Sequence, residues 1–296
     1  METSIIFGAG ALGKFLYPQI ETKFGAGQIL FADSNPVLWG TSLFGKQIIC
    51  PDEIPKIAYD SIIIASLTGF ETIPARLTTH LSVPTDKIDS SYLYELYERT
   101  LGARNRFLKR FAEVVYTKKL EGSVAECGVF EGCFAKRINA AFPDKTLYLF
   151  DTFEGFDERD IAVEHGDTSH RASHYNVNIT ETDLLKVMPH PERAVIRRGY
   201  FPETASNIND KFVFANLDFD LYNPTLAGLE FFYSKMVRGG IILVHDYFHD
   251  AVVPNKEMIF QGVRPAVDEF CEKHGIVLMP IADEMSIAIL VNEGIQ

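Results

Sequence analysis

The sequence has few cysteines and no long hydrophobic run. Its four cysteines form no C-x-x-C pair and show no disulfide-dense pattern among the 296 residues. No apolar stretch reaches the length of a membrane span, and the N-terminal segment METSIIFGAGALGKF lacks both a basic leader and a small-residue cleavage site. These absences predict a soluble, reduced protein of the cytoplasm with no membrane partner.

Positive charge is also scarce. The chain has 28 lysines and arginines against 40 aspartates and glutamates, so its formal net charge is -12 and its pI is near 5.1. Because nucleic-acid phosphates require a basic protein face, we expect no nucleic-acid partner. Hydrophobic residues make up 47% of the chain, which is enough to bury a sizeable core, and the length suggests one or two domains.

The chain begins with a pattern typical of dinucleotide-binding folds. Apolar residues 4–7 run directly into a G-x-G-x-x-G motif, and a predicted helix follows over about 12–22. The glycines of the motif are Gly8, Gly10 and Gly13. A second apolar run leads to Asp33, where such folds place an acid that binds a ribose. These four residues form a candidate nucleotide site. The unit ends near residue 90, however, about half the size of a full dinucleotide-binding domain, so a structural or docking role is the alternative.

This first part of the chain resembles the small Rossmann-like domains that accompany bacterial enzymes that modify sugars and polysaccharides. The resemblance rests on the segments GAGALG, FADSNPVLWG and DSIIIAS. A nucleotide-sugar oxidoreductase or epimerase that used the glycine motif would also need a Tyr-x-x-x-Lys pair. None of the twelve tyrosines has a lysine four positions later. Redox use of the motif is therefore disfavoured.

A helical segment separates this unit from the rest of the chain. The polar stretch PTDKIDS closes the first domain, 1–90, and apolar residues then recur three and four positions apart up to about residue 119. We interpret 91–103 as a helical linker and 104–296 as a second domain. The linker helix could pack against another subunit, which makes a homo-oligomer a further expectation.

The second domain opens with another strand, glycine turn and helix. The strand ends at Glu126, the turn contains Gly128 and Gly132, and a second apolar strand leads to Asp151. Glycines allow a backbone to pass close to a ligand, and a carboxylate in this position can accept both hydrogen bonds of a ribose diol. An acid at Glu126 suits a ligand with positive charge, such as the amino group and sulfonium of S-adenosylmethionine. The alternative is an ordinary turn whose glycines permit tight packing.

Acidic side chains follow two later strands. An apolar strand runs into Asp218 and Asp220, and the next strand ends at His245 and Asp246. Side chains two positions apart on an extended chain point the same way, and the carboxyl ends of parallel strands converge on one ligand crevice. The three acids suit a hard cation or a general base. The alternative is that one acid caps a helix and another pairs with a basic residue.

Two aromatic residues and a long polar stretch complete the predicted crevice. Tyr200 and Phe201 follow a short strand, at the edge of the sheet where an adenine could meet an aromatic ring. Packing in the core is an equal alternative for both. The stretch 157–180 shows little regular pattern, and we interpret it as a loop that could close over the ligands.

Residues 104–296 resemble the macrocin-type sugar O-methyltransferases. The resemblance rests on six segments, which are VAECGVFEGC, YLFDTFEGF, RRGYFPET, LDFDLYNPT, GGIILVHDYF and GVRPAVDEF. It implies an α/β class I methyltransferase fold, with a doubly wound seven-stranded sheet whose last strand is antiparallel, here preceded by the smaller Rossmann-like α/β domain. It also implies methyl transfer from S-adenosylmethionine to a hydroxyl of a sugar in a glycoside, nucleotide sugar or polysaccharide precursor, usually with magnesium.

The resemblance further implies roles for individual residues. Asp218 and Asp246 would bind the metal, and Asp220 would be the general base. Asp151 would hold the ribose, with Glu126 near the methionine part of the cofactor. The residues expected to line the cofactor are Glu126, Gly128, Gly132, Asp151, Thr152, Phe153, Tyr200, Phe201 and Asp218.

His245 departs from the family pattern, which usually has two adjacent acids at this point. Magnesium prefers oxygen ligands, so an imidazole weakens a magnesium site or shifts its preference towards manganese, iron or zinc. Alternatively, His245 is the catalytic base and metal is dispensable. Two further hypotheses stay open, namely an oxidoreductase or epimerase that uses the N-terminal motif and a nucleotide-binding protein without catalytic activity.

Overall fold

The chain divides between Arg99 and Thr100 into two α/β units. The computed structural model describes residues 3–25, 29–165, 167–172, 179–248 and 260–291. No helix in these ranges is both long and apolar enough to cross a membrane. Each unit has its own mostly parallel sheet, and the second sheet has seven strands. The predicted fold class is therefore confirmed.

The first unit is a six-stranded sheet with helices on both faces. Its strands are β1 (Ser4–Phe7), β2 (Ile29–Ala32), β3 (Ser42–Leu43), β4 (Lys46–Ile49), β5 (Ser61–Ile64) and β6 (Ile88–Asp89). Its helices are α1 (Ala11–Phe24), α2 (Thr72–Leu81) and α3 (Ser91–Tyr97). The strand order is β3-β4-β2-β1-β5-β6, and every pair is parallel except β3 with β4.

The central strands of this unit are buried on both faces. β1 and β5 have the continuous apolar sequences SIIF and SIII, as expected for strands covered by helices on each side. Ile6 packs with Leu16 of α1 on one face. Ile5 packs with Leu77 of α2 on the other. Alternate residues of one strand therefore serve two separate cores.

Two of the three motif glycines in this unit are required by packing of the protein itself. A Cβ on Gly13 would lie 2.0 Å from the carbonyl oxygen of Gly8. Gly8 has a φ of 117°, and a Cβ there would lie 2.6 Å from the carbonyl oxygen of Ala65. At Gly10, in contrast, a Cβ would meet nothing within 4 Å. The glycines therefore let α1 approach β1 closely, and only Gly10 faces open space.

The helical segment after the first unit is built from three pieces. α3 ends at Tyr97, a π-helical turn spans Glu98–Gly102, and α4 begins at Ala103. The first and last pieces follow the predicted apolar periodicity. Leu108, Phe111 and Val115 are all buried on α4.

The second unit contains seven strands and seven helices in its described ranges. The strands are β7 (Ser123–Cys127), β8 (Leu147–Asp151), β9 (Ala194–Arg198), β10 (Phe212–Leu217), β11 (Met236–Val244), β12 (Met279–Pro280) and β13 (Ile287–Leu290). The helices are α4 (Ala103–Lys118), α5 (Cys133–Ala141), α6 (Glu158–Ile161), α7 (Asp167–Ala172), α8 (Glu181–Val187), α9 (Tyr222–Tyr233) and α10 (Val263–His274).

The order of these strands creates a crevice at the middle of the sheet. The order is β12-β13-β11-β10-β7-β8-β9, parallel from β11 to β9, with β13 antiparallel to both of its neighbours. After β7 the chain continues to one side through β8, whereas β10 lies on the other side. Folds of this type bind ligands where the order reverses, outside the carboxyl ends of the two strands. The crevice of the second unit therefore lies beyond β7 and β10.

The segment 157–180, predicted as an irregular loop, contains helical turns. α6 and α7 lie within it, and the Asp157 side chain caps α6 by accepting a hydrogen bond from the Arg159 N–H at 2.9 Å. Residues 166 and 173–178 of this segment lie outside the described ranges. The helices are short, at four and six residues, which is why the sequence shows no periodicity there.

We predict that replacing Gly13 with alanine destabilises the first unit, whereas replacing Gly10 does not. The new methyl group at position 13 overlaps backbone atoms of Gly8, and overpacking of this kind costs about 1–3 kcal/mol. At position 10 the methyl group enters open space, so a change within about 0.5 kcal/mol is expected. Urea denaturation of both variants measures the difference. Equal stability of Gly13→Ala and the parent protein would contradict the packing account.

Candidate functional site

The crevice is formed where the ends of β7 and β10 touch. The Asp218 N–H donates a hydrogen bond to the carbonyl oxygen of Cys127 at 2.9 Å. Gly128 has a φ of 76°, and a Cβ there would lie 1.9 Å from the carbonyl oxygen of Asp218. A side chain at Gly128 would thus collide with protein backbone, so packing within the protein already requires glycine here. Gly132 likewise packs against Leu184, whose Cδ1 lies 2.2 Å from where a Cβ would be.

Asp151 holds the glycine turn in place. Its Oδ2 accepts hydrogen bonds from the Val129 N–H at 2.7 Å and the Phe130 N–H at 3.0 Å, and its Oδ1 accepts one from the Phe153 N–H at 2.7 Å. A carboxylate can accept about four hydrogen bonds. Asp151 therefore retains capacity for one ribose hydroxyl rather than for both.

The two residues after Asp151 are engaged within the protein. The Thr152 hydroxyl donates to the carbonyl oxygen of Gly155, which closes a turn. Phe153 is buried, and its ring belongs to the hydrophobic core around α5 and β8. Both side chains are therefore occupied by contacts within the protein.

Asp218, His245 and Asp246 bring three donor atoms together beyond β10 and β11. His245 Nδ1 lies 2.9 Å from Asp218 Oδ1 and 3.0 Å from Asp246 Oδ1. All three donor atoms lie within 4.8 Å of one another. Adjacent ligands of an octahedral cation with bonds of 2.0–2.1 Å are about 2.9 Å apart. The spacing of these atoms therefore fits the coordination sphere of a divalent cation.

His245 has an unusual electrostatic environment. Burial and the nearby Arg104 guanidinium lower the pKa of His245, but the carboxylates of Asp218 and Asp246 outweigh both and raise it to about 10. Despite the short distances, Nδ1 has no partner with hydrogen-bond geometry among the described residues. A ring nitrogen placed in this way can receive either a proton or a cation.

Asp220 lies next to this group of donors. It has a φ of 65°, and Asp246 has a φ of 59°, a backbone region that aspartate tolerates better than most residues. Burial raises the pKa of Asp220 well above its ordinary value, and the neighbouring carboxylates of Asp246 and Asp218 raise it further, while His245 opposes them. The four predicted residues of the acidic group are thus brought together.

Two polar residues that the sequence interpretation missed also lie here. Arg104 is only 5% exposed, and its Nη1 lies 3.4 Å from Asp218 Oδ2. Asn216 is fully buried, and its Nδ2 donates to Glu126 Oε1 at 3.2 Å. The sequence could have indicated that Arg104 is buried, because it precedes Leu108 by four residues on α4 and residues four apart share one face of a helix.

Several buried polar atoms in this crevice lack a hydrogen-bond partner among the described residues. They are Arg104 Nε, Glu126 Oε2 and Asn216 Oδ1. Burial raises the pKa of Glu126 well above its ordinary value, and Asp218 adds to this rise, whereas Arg104 and Asn216 oppose it. Buried polar groups without partners are rare and each costs about 1–3 kcal/mol. Their concentration at one place indicates a polar ligand site.

Tyr200 and Phe201 have different surroundings. The Tyr200 hydroxyl donates to Asp160 Oδ1 at 3.1 Å, and the Arg159 guanidinium covers the ring at 3.5 Å. Phe201 is 4% exposed and packs against the rings of Phe150 and Phe232. The contacts of Phe201 therefore favour packing in the core over contact with an adenine, because little of its ring is exposed to a ligand.

Part of the segment predicted as a lid is fixed to α9. Glu164 Oε1 accepts a hydrogen bond from the Tyr222 N–H at 2.6 Å, and Thr168 Oγ1 accepts one from the Gln261 N–H at 3.1 Å. Burial raises the pKa of the Glu164 carboxyl. The first contact attaches the segment to α9, which begins two residues after Asp220, and the second attaches it to the residue two positions before α10. Closure over a ligand stays a prediction.

In the first unit, Asp33 is bound to the glycine turn rather than facing away from it. Its Oδ2 accepts a hydrogen bond from the Ala9 N–H at 2.7 Å, and its Oδ1 accepts one from the Asn35 N–H at 2.8 Å. An N–H group of the turn that could face a pyrophosphate is thus already paired. This bond supports the structural alternative for the N-terminal motif.

We predict that Glu126→Gln becomes progressively more stable than the parent protein as the pH rises. The folded-state pKa of Glu126 lies above its ordinary value of 4.5, so between these two pKa values only the unfolded chain releases the proton. Stability from this group is therefore full below pH 4.5 and decreases by about 1.4 kcal/mol per pH unit above it. Glutamine has no proton to release and can still accept the Asn216 hydrogen bond.

Urea denaturation between pH 4 and 8, in buffer with EDTA, measures this difference. Glu113→Gln is the matched control, because Glu113 is exposed on α4. A stability difference between Glu126→Gln and the parent protein that does not change with pH would contradict the assignment.

Comparison with known proteins agrees with this fold. The family model described as macrocin-O-methyltransferase (TylF) matches residues 97–287, and a model described as C2185-like, N-terminal, matches residues 1–89. A search of curated proteins found no match.

Two solved structures show the same fold. The O-methyltransferase NovP is 21% identical, with 64% of this chain and 80% of that chain covered and a TM-score of 0.53. The calicheamicin methyltransferase CalS11 is 19% identical, with 76% of this chain and 93% of that chain covered and a TM-score of 0.55. Because the first family model spans more than half of the chain, the protein belongs to the macrocin-O-methyltransferase family and is an O-methyltransferase.

Proposed function

We propose that the second unit transfers a methyl group from S-adenosylmethionine to a sugar hydroxyl with the help of a divalent cation. One observation carries this proposal. Glu126, which has a buried oxygen without a partner among the described residues, lies near the carboxyl ends of three adjacent strands, β7, β10 and β11. The donor group of Asp218, His245 and Asp246 lies at the same edge of the sheet. A positively charged cofactor and a cation both suit a crevice that is rich in buried acids. Family membership supports a sugar as the acceptor.

Glu126 is proposed to bind the positively charged part of the cofactor. Its Oε2 is buried without a partner among the described residues, and burial disfavours its charged form. A positive charge of the ligand beside this oxygen, from its ammonium or its sulfonium, reverses that preference. The ammonium can also donate a hydrogen bond to the oxygen. Asp151 retains capacity for one ribose hydroxyl, and the turn around Gly128 provides backbone contacts. Tyr200 supplies an aromatic ring near the expected adenine, with one face already covered by Arg159.

Asp218, His245 and Asp246 are proposed to hold the divalent cation. His245 Nδ1 lies at the spacing of adjacent ligands from an oxygen of each aspartate, and neither contact has the geometry of a hydrogen bond. A bound cation would polarise the acceptor hydroxyl and stabilise the developing alkoxide. The family resemblance implies magnesium, but a nitrogen ligand favours manganese or iron.

Asp220 is proposed as the general base. A sugar hydroxyl is a poor nucleophile at neutral pH, so its proton must leave as the methyl group moves. The raised pKa of Asp220 makes its carboxylate a stronger base than an exposed aspartate. Alignment of the acceptor oxygen, the methyl carbon and the sulfur contributes roughly 7–11 kcal/mol more.

The domain division is part of the same proposal. The methyltransferase would occupy 104–296, with 91–103 as a helical linker after a first domain of 1–90. The break between Arg99 and Thr100 and the two family matches, to 1–89 and 97–287, support this division. The resemblance of the first domain to those of polysaccharide-modifying enzymes supports an acceptor from polysaccharide or glycoconjugate synthesis.

We predict that Asp220→Asn abolishes most turnover while cofactor binding is retained. Loss of a positioned base lowers kcat by about 10²–10⁴-fold, whereas affinity for S-adenosylhomocysteine changes less than about threefold, because Asp220 is not among the atoms assigned to the cofactor. Calorimetry gives the affinity, and transfer of labelled methyl groups to a panel of nucleotide-activated sugars gives the rate.

Asp183→Asn, on the exposed face of α8, is the matched control and should change neither quantity. Binding of NADH without binding of S-adenosylhomocysteine by the parent protein would overturn the proposed function. Unchanged turnover of Asp220→Asn would remove only the base assignment.

We also predict that the parent protein binds Mn²⁺ about ten times more tightly than Mg²⁺, and that His245→Asp reduces this ratio. Imidazole is a better ligand for manganese than for magnesium, which prefers oxygen. Mn²⁺ electron paramagnetic resonance with Mg²⁺ competition measures both affinities without turnover. His190→Asp, at a partly exposed histidine, is the control. Equal affinity of the parent protein for both ions would contradict a nitrogen ligand.

A further inference from the structure

We propose that Arg104 binds the carboxylate of the methionine part of S-adenosylmethionine, and that Asn216 shares the cofactor ammonium with Glu126. This inference rests on the proposed function and extends it to two residues outside the predicted site. It concerns the end of the cofactor that takes no part in the chemistry but positions the reacting sulfonium.

Arg104 is a buried cation with an incomplete set of partners. The residue is 5% exposed, and one guanidinium nitrogen lies 3.4 Å from Asp218 Oδ2. Its Nε has no hydrogen-bond partner among the described residues. Buried arginines are usually held by two parallel hydrogen bonds to one carboxylate. A single long contact leaves most of the desolvation cost of this charge uncompensated.

The position of Arg104 is determined by packing rather than by Asp218 alone. It lies in the first turn of α4, on the face that buries Leu108 and Phe111. The guanidinium carbon lies 4.4 Å from the centre of the Phe134 ring, which belongs to the first turn of α5. Stacking on an aromatic ring covers one face of a guanidinium and leaves its N–H edges to donate. The charge is therefore held at the crevice independently of any ligand.

The unpaired atoms near Arg104 match the amino-acid end of the cofactor. An α-amino acid presents one carboxylate, which accepts hydrogen bonds, and one ammonium, which donates them. Arg104 Nε is a donor without a partner, and Glu126 Oε2 and Asn216 Oδ1 are acceptors without partners in the described structure. The two acceptors belong to residues joined by a 3.2 Å hydrogen bond across β7 and β10.

The same group of atoms does not suit the other components of the reaction. Arg104 Nε is a hydrogen-bond donor and cannot bind a cation, and a neutral sugar would not balance a buried charge. A ligand with a negative and a positive group a few bonds apart can accept from Arg104 and donate to Glu126 and Asn216 at the same time. Arg104 and Asn216 are thus binding residues for the cofactor, whereas Asp218, His245 and Asp246 remain the candidates for the cation.

Three adenosine ligands separate these contributions. S-adenosylhomocysteine carries the whole amino-acid end, its decarboxylated analogue keeps only the amine, and 5′-methylthioadenosine has neither group. Calorimetry of the full-length protein with each ligand should show that Arg104→Gln weakens S-adenosylhomocysteine binding by about 10- to 100-fold, the range for a charge-assisted hydrogen bond. Affinities for the other two ligands should stay within about twofold.

Asn216→Leu provides the complementary pattern. It should weaken binding of S-adenosylhomocysteine and of the decarboxylated analogue, which share the amine, and leave 5′-methylthioadenosine unchanged. Arg110→Gln is the matched control, because Arg110 lies on the same helix with its side chain 79% exposed. It should change none of the three affinities.

The outcomes that overturn the inference are distinct from failure of the proposed function. Equal loss of all three ligands in Arg104→Gln would show a structural role only, and an unchanged affinity for S-adenosylhomocysteine would show no role. If Arg104→Gln does not fold, Arg104→Lys decides, since it must lose affinity for S-adenosylhomocysteine but not for the decarboxylated analogue. A parent protein that binds none of the ligands would instead refute the proposed function.

Discussion

The backbone contact between Gly128 and Asp218 is the constraint on which the site depends. No side chain fits between them, because a Cβ on Gly128 would lie 1.9 Å from the Asp218 carbonyl oxygen. The contact joins the end of β7 to the end of β10 in a fixed register, in which Glu126 pairs with Asn216. The residues proposed for the cofactor and those proposed for the cation therefore occupy one crevice. The close contact between Gly128 and Asp218 therefore determines both the packing at the strand ends and the arrangement of the polar residues.

The charges of this crevice explain why two different ligands would be attracted to it. Burial raises the pKa of Glu126 and of Asp220 well above their ordinary values, so the protein by itself favours protonated acids. Arg104 and His245 supply the neighbouring positive charge. A sulfonium, an ammonium or a divalent ion each lowers the cost of ionising an acid nearby. A methyltransferase that needs an ionised base can obtain it in this way when its cofactor and cation are bound.

Sequence patterns located the acids but not their partners. Asp218, Asp220, His245 and Asp246 were predictable because each follows an apolar run, and the ends of parallel strands meet at one edge. The strand order itself followed from the family resemblance rather than from periodicity. Arg104 and Asn216 were missed because they lie inside a helix and a strand, where only packing shows which side chains turn towards the crevice.

Other differences have the same origin in tertiary contacts. Of the two explanations for Gly128 and Gly132, a ligand or tight packing, the contacts support packing, because protein atoms occupy the place that a Cβ would take at both. Phe201 follows a strand end like Tyr200, yet its ring enters the core. Both residues lie in the turn that follows β9, and sequence alone does not show which of the two side chains faces inward. The short helices α6 and α7 complete too few turns to leave a periodic pattern.

In both units, the aspartate after the second strand accepts a hydrogen bond from the backbone of the glycine turn, so it has a structural role besides any contact with a ribose. Asp33 accepts a hydrogen bond from the Ala9 N–H, and Asp151 accepts one from the Val129 N–H, each at 2.7 Å. In each unit the acid holds the glycine turn in place through this hydrogen bond. In the described part of the first unit, no buried side-chain nitrogen or oxygen lacks a hydrogen-bond partner, whereas several in the second unit do. Two glycine turns held by the same hydrogen bond therefore differ, within the described residues, in the buried polar atoms that they leave without a partner.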